Sequence, residues 1–283
     1  MSEHDAFELA KSHSETLTYL AFFGLFAILG LFELVRYRSA ARPNRARRWT
    51  TNIVLSLSWV ITGPFLPISA LAAALFADAK DFGSLNMIDL DWRYAFAAGI
   101  VLRSFVSYYT HVAMHKVPFL WRIHRVHHLD PQLDVSSTAR NHPLEALGTW
   151  PLTIAGIVLF GIPPAAVLLY EIFDALMVVF SHANIRLPRW QDRLISVIFV
   201  TPDMHRVHHS SFQPQTDSNF GATLAVWDRM FGTYKRLSEK DLAMLKIGLD
   251  DVQDPRAQDI LWLLRSPFLT LTTRAEPEVS TDG

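Results

Sequence analysis

The chain has 283 residues, 50% hydrophobic and 19% charged, with a mean hydropathy of +0.18 and a formal net charge of −1. That balance, without a basic stripe, leaves no footprint for nucleic acid, and the absence of cysteine excludes disulfides, thiolate-bound zinc and iron–sulfur clusters. Neither a glycine-rich dinucleotide fingerprint nor a phosphate-binding loop occurs, so electrons for any redox chemistry must come from a separate donor or a bound organic group.

The N-terminal residues Glu3, Asp5, Glu8 and Glu15 face only Lys11, the reverse of a secretory leader. The apolar run 17–35 is long enough to cross a bilayer, and its one charge, Glu33, sits near the end. Arg36, Arg38, Arg42, Arg45, Arg47 and Arg48 follow and mark a cytoplasmic loop. Residues 53–77 form a second apolar stretch, which Gly63-Pro64 and Pro67 break into a kink or two half-helices. The acidic, turn-rich stretch 78–91 suits the opposite side, and 94–109 reads as a third, shorter apolar helix running back. Residues 150–181 are split by Gly161 and Pro163-Pro164 into two tilted spans or a re-entrant hairpin, and either form returns the chain to the side it left. After a polar stretch, 260–264 with Trp262 suits an interfacial helix or a lid, and the last ten residues read as disordered.

The fold expected is therefore all-α: a multi-pass integral membrane protein with about four apolar helical segments and a cytoplasmic helical cap. Three parts follow: N-terminal membrane helices and loops over 1–94, a histidine-rich domain over 95–236, and an amphipathic segment with a tail over 237–283. A large soluble helical core fits less well, because apolar runs and charged loops alternate so regularly.

Ten of the twelve histidines lie between His111 and His209, and eight form three boxes. These are His111 and His115; His124, His127 and His128; and His205, His208 and His209. Residues three and four apart share a helix face, so each box aims its imidazoles one way. A scrambled chain of this composition would contain His-x-x-His-His about 0.02 times; this one contains it twice. Eight imidazoles exceed what one zinc takes and suit two six-coordinate ions with positions left for oxygen and substrate. Neither Glu-x-x-His nor His-Glu-x-x-His occurs, which removes the carboxylate diiron and zinc-protease patterns. An all-imidazole shell carries no anion, so the centre stays strongly positive and favours an oxygen-derived oxidant over hydrolysis.

His142 and His182 are isolated at the two ends of the apolar hairpin, each open between a ligand and a core or supporting histidine. His4 and His13 belong to a solvated tail. Asp130, Asp134, Asp203, Asp217 and Asn184 could orient the ligand rings, and each is equally a cap or turn residue. Two rival readings are a metal transporter or buffer without redox turnover and a dizinc hydrolase. A transporter places its polar groups within the helices at the bilayer midplane, whereas these helices read as carrying few.

The ordered set of boxes resembles the fatty acid hydroxylase and sterol desaturase superfamily. Trp121-Arg-Ile-His124-Arg-Val-His127-His128 is similar to its second box and Thr201-Pro-Asp-Met-His205-Arg-Val-His208-His209 to its third. The His142-Pro-Leu-Glu145 segment, His182-Ala-Asn184, Asp217-Ser-Asn-Phe-Gly221 and Trp227-Asp-Arg-Met-Phe-Gly-Thr-Tyr234 fit the same order, over about 95–236. The resemblance implies a membrane-bound non-haem diiron oxygenase that hydroxylates or desaturates a lipid with O2. It also implies two iron ions, cytoplasmic ligands, and the addition of His142 and His182 to the eight boxed histidines. No cytochrome b5-like domain is fused here, so the electron donor expected is a separate ferredoxin, cytochrome b5-like protein or reductase.

Overall fold

A computed structural model of the chain describes residues 12–35, 44–62 and 68–269. His4, three of the loop arginines (Arg36, Arg38 and Arg42), the break at 63–67 and the C-terminal ten residues lie outside them. The described residues are helical, and their only β pairing is two isolated bridges, Phe199 with Leu224 and Ser210 with Ile247. The all-α expectation holds.

Helix α1 (Ser14–Val35) packs along α7 (Pro164–His182), and α4 (Trp92–Lys116) packs on both α6 (Glu145–Phe160) and α7. Helix α3 (Ala70–Ala79) approaches closely because its buried face is all alanine: Ala70, Ala73, Ala74 and Ala77. It meets Val106, Ile157, Ile162, Ala166 and Val167 in one apolar core. Gly161 ends α6 in the left-handed conformation at φ 62, and Pro164 opens α7 at its first turn, so the two helices fold back sharply. A Cβ at Gly161 would lie 2.9 Å from the Phe82 carbonyl, so only glycine fits this turn.

Among the described residues, two helices, Thr16–Val35 and Pro164–His182, are long and apolar enough to cross a membrane, against about four expected. The shortfall has physical causes. Helix α6 has 16 residues, about 24 Å against a hydrocarbon core of ~30 Å. Helix α3 has only 10, and α4 interrupts its apolar run with Arg103 and His111. Helix α1 leaves Leu20, Phe23, Ile28 and Leu31 between 60% and 65% exposed, an apolar outer face along its whole length.

The remaining elements form a cap at one end of this bundle. Helix α2 (Arg45–Thr62) lies against a short 3-10 helix, Val135–Ala139. Helices α5 (Pro118–His128), α8 (Arg189–Ile195) and α9 (Pro202–His208) follow the long helices in sequence. Short helices α10 (Gln213–Thr216), α11 (Val226–Met230), α12 (Glu239–Met244) and α13 (Ile260–Arg265) complete the chain. Within the 260–264 patch, Leu263 is fully buried with Leu55, Val126 and Leu129 behind the second histidine box, while Leu261 is 66% exposed.

Candidate metal centre

Each box sits at a helix end aimed at the same point. His111 and His115 occupy the last turns of α4. Pro118 then starts α5, whose three histidines fall in its final five residues. His182 is the last residue of α7. Helix α9 starts at Pro202, with Thr201 Oγ1 accepting from the Met204 amide, and delivers His205, His208 and, at its C-cap, His209. The result is two buried nests: His111, His115, His124, His128 and His208 in one, and His127, His182, His205 and His209 in the other. Within each nest the possible ligand atoms all lie within 4.8 Å of one another.

The structure thus brings together nine of the ten candidate histidines. His142 stands apart. Its Nε2–H donates to the Leu264 carbonyl at 3.2 Å, and its Nδ1 accepts from the Leu144 amide at 3.1 Å. In that arrangement no ring lone pair remains for a metal. His13, at the N-terminal end, is exposed.

The nests fit a cation for an electronic reason. Where Nδ1 faces a carbonyl it must donate: His111 to Phe220 O at 2.7 Å, His127 to Arg140 O at 3.2 Å, His182 to Val178 O at 2.8 Å and His208 to Ser218 O at 2.8 Å. A neutral ring with its proton on Nδ1 has a bare lone pair on Nε2. These lone pairs face one another: His127 and His182 Nε2 are 3.1 Å apart, and His111 Nε2 lies 3.2 Å from Nε2 of His124, whose Nδ1 faces the Glu145 carboxylate. Bare lone pairs at such distances repel unless a cation lies among them.

Charging the rings instead is disfavoured. Burial, reinforced by the neighbouring imidazoles, holds His127, His128, His205 and His209 well below the usual imidazole range, and burial pushes His208 down to about 3. The rings therefore stay neutral at pH 7, the form that ligates.

The segment 217–221 holds the five-histidine nest. Asp217 Oδ1 lies 3.4 Å from His115 Nδ1, while Ser218 and Phe220 offer their carbonyls to His208 and His111. Asp228 fixes this segment by accepting from the Phe220 and Gly221 amides at 2.7 and 2.8 Å. A Cβ at Gly221 would lie 2.9 Å from Asp228 Oδ2, so a side chain there would push this clamp apart. Glu145 accepts from His124 Nδ1 at 3.0 Å.

A second support lies behind the second box. Arg140, whose carbonyl holds His127, donates from its side chain to Val126 O, Ala257 O and Asn52 Oδ1. Asn52 and Arg48 both donate to Asp130, and Arg48 also pairs with Asp134. Burial alone would raise the Asp130 pKa, but Arg48, Arg140 and the hydrogen bonds from Ser137 and Asn52 outweigh it and hold the carboxyl below its usual range. Of the five residues expected to orient ligand rings, Asp217 comes nearest to one, with Oδ1 3.4 Å from His115 Nδ1. Asp130 and Asp134 bind Arg48 instead, and Asn184 gives its backbone amide to Glu33.

A cavity of about 280 Å³ opens beside the nests, lined by His111, His124, His127, His182 and His205. Three helices each line it with a polar stripe at helical spacing. Helix α4 contributes Arg103 and Ser107 below His111; α6 contributes Glu145, Thr149 and Thr153; α7 contributes Asp174 and Ser181 below His182. The expectation that the apolar helices carry few polar groups is thus corrected. The signal was present as Arg103-x-x-x-Ser107-x-x-x-His111 and Glu145-x-x-x-Thr149-x-x-x-Thr153, but an average over each helix hides a stripe of this kind.

The model of the fatty acid hydroxylase family matches residues 96–233. An ornithine lipid hydroxylase of Rhizobium tropici is 31% identical over 145 residues, covering 50% of this chain and 43% of that protein. An alkylglycerol monooxygenase of Caenorhabditis elegans is 28% identical over 169 residues, 58% of this chain and 32% of that protein. A cholesterol 25-hydroxylase-like protein of Danio rerio is 26% identical over 204 residues, 66% of this chain and 78% of that protein. The chain therefore spans less than half the length of the first two. No solved structure matches.

Proposed function

We propose, from the membership of residues 96–233 in the fatty acid hydroxylase family, that this chain is a membrane-bound, dinuclear non-haem iron oxygenase that hydroxylates a lipid C–H bond. The reaction uses O2 and electrons from a separate carrier: a ferredoxin, a cytochrome b5-like protein or a reductase. The observation that carries the reading is the pair of nests with Nδ1 protons committed to carbonyls and Nε2 lone pairs converging. Bound iron supplies the activation of O2 that an unactivated C–H bond requires.

The chain's own residues do the rest. His111, His115, His124, His128 and His208 would hold one ion, and His127, His182, His205 and His209 the other. Glu145 raises the basicity of His124 and fixes its orientation, and the Asp217 carboxylate lies 3.4 Å from His115 Nδ1. Helices α1 and α7, long and apolar enough to cross a membrane, support a site at a bilayer surface, and the arginine-rich sequence 36–48 supports ligands on the cytoplasmic side. Hydroxylation is preferred to desaturation because the relatives quoted above are named as hydroxylases or a monooxygenase. It also places fewer demands on substrate position.

The test is metal identity and stoichiometry on protein purified anaerobically in detergent, followed by lipid turnover with O2 and a reductase. About two irons per chain and an alcohol product support the reading. Two tightly held zincs with no oxidation would move it to hydrolysis, and an alkene without alcohol would replace hydroxylation by desaturation.

A further inference from the structure

The cavity contains two charged groups that the metal site does not use. Arg103 is 7% exposed, and its Nε and Nη2 both donate to Glu171 Oε1, at 3.2 and 2.7 Å. Its guanidinium rests 4.8 Å from the centre of the Tyr170 ring, which fixes its plane. The remaining nitrogen, Nη1, is buried without a hydrogen-bond partner. Asp174, one turn further along α7 and lining the same cavity, likewise has a buried Oδ1 without a partner. A buried donor and a buried acceptor left unmatched are destabilising, more so when charged. A ligand that satisfies both recovers that cost.

We infer that Arg103 and Asp174 form a subsite for an uncharged polar group of the lipid, a hydroxyl or a carboxamide, which both accepts from Arg103 and donates to Asp174. This rests on the oxygenase reading and adds a substrate class to it. An anionic headgroup is the wrong ligand. Two carboxyls, Glu171 and Asp174, accompany one guanidinium. If Asp174 is ionised the subsite repels an anion; if it is protonated, the Arg103–Glu171 pair is already neutral. A purely apolar ligand leaves both atoms unmatched.

Size adds a second constraint. Pockets that hold whole ligands run from ~300 to ~1,000 Å³, and this cavity is about 280 Å³ while also being lined by five of the histidines. A lipid cannot fit entirely inside. Arg103 and Asp174 each lie eight residues, about 12 Å along the helix, from His111 and His182, so a polar group seated between them puts carbons partway along the chain, rather than its distal end, beside the nests. Oxidation falls in the interior of the chain.

The experiment compares hexadecanol, the ethanolamide of palmitic acid, palmitate and hexadecane with the iron-loaded protein in detergent. Binding is read first without reductant, by ligand-induced change in melting temperature. The alcohol and the amide should bind about tenfold or more tightly than palmitate or hexadecane. Asp174→Ala should remove that preference at unchanged iron content. Asp174→Asn, which keeps the shape and removes the second carboxyl, should specifically relax discrimination against palmitate, and it serves if the alanine variant does not fold. Tighter binding of palmitate by the unaltered protein, or an unchanged preference in a folded Asp174 variant, overturns the subsite. Turnover is then read with O2 and reductant. Oxidation at the distal end of a bound alcohol overturns the orientation, whereas selective binding with no oxidation of any probe retains the subsite and rejects the oxygenase.

Discussion

The two histidine nests are built from the same side chain and supported differently. The nest of five draws only on the boxes of α4, α5 and α9, and carboxylates stand behind two of its rings, Glu145 at His124 and Asp217 at His115. The nest of four takes His182 from the end of a long apolar helix, and its oriented rings, His127 and His182, lean on the Arg140 and Val178 carbonyls. Three of its four rings line the cavity, against two of five in the other nest. An imidazole that donates to a carboxylate is a stronger ligand than one that donates to a carbonyl. Number and support therefore act together: on the proposed reading, one ion is held for structure and charge, and the other is held more loosely where substrate arrives.

The largest test of that contrast removes one ring from each nest. His127→Ala and His208→Ala should each abolish turnover and lower bound iron by about one equivalent, with membrane insertion intact. Chelator titration of the unaltered protein should remove metal in two phases. His127→Ala should eliminate the fast phase and His208→Ala the slow one. A single phase breaks the comparison, and full iron in either variant removes that nest's assignment.

The carboxylates come next. Glu145→Gln and Asp217→Asn should weaken metal retention or activity by about ten- to a hundredfold, acting on the slow phase alone. An effect confined to the fast phase would reverse the roles given to the two nests.

A smaller effect is expected from pH. Unfolded histidines take up protons below ~6.5, while the buried rings resist doing so, His208 down to about 3. The unfolded state thus binds more protons over that interval, and the stability of metal-free protein should fall as pH drops from 7 towards 3. Asp130, held below its usual range, adds a loss of the same sign once pH falls below ~4. Melting temperatures across this range check the sign; a rise on acidification would show that the rings are charged in the folded state.

The smallest effect sharpens the boundary of the site. His142→Gln should keep both metal ions and lose only about 1–3 kcal/mol from two disrupted hydrogen bonds. Loss of an equivalent of iron would return His142 to the ligand set.

The boxes were legible in the sequence because helical spacing alone puts their rings on one face. His142 and His182 were not separable, since each is a single histidine at an end of the same hairpin. What parts them is the second nitrogen: the Leu264 carbonyl, 122 residues away, and the Leu144 amide together occupy both nitrogens of His142, while the Val178 carbonyl occupies only Nδ1 of His182 and leaves its Nε2 facing the nest. Among the described residues, two helices rather than about four are long and apolar enough to cross because apolar composition does not reveal helix length: α6 has 16 residues and α3 only 10. Asp174 was missed for a different reason. A carboxyl in an apolar helix barely shifts its average hydropathy, and its meaning depends on Arg103 arriving from another helix.

The Arg140 anchor carries a consequence for biogenesis. Its carbonyl orients His127, and its guanidinium is held by Asn52 and by the backbone of Ala257, both outside the stretch 96–233. While the chain is still emerging from the ribosome, every histidine can be in place before Ala257 exists to lock the second box. A fragment cut to residues 96–233 would therefore present the candidate ligands without the brace that aims them.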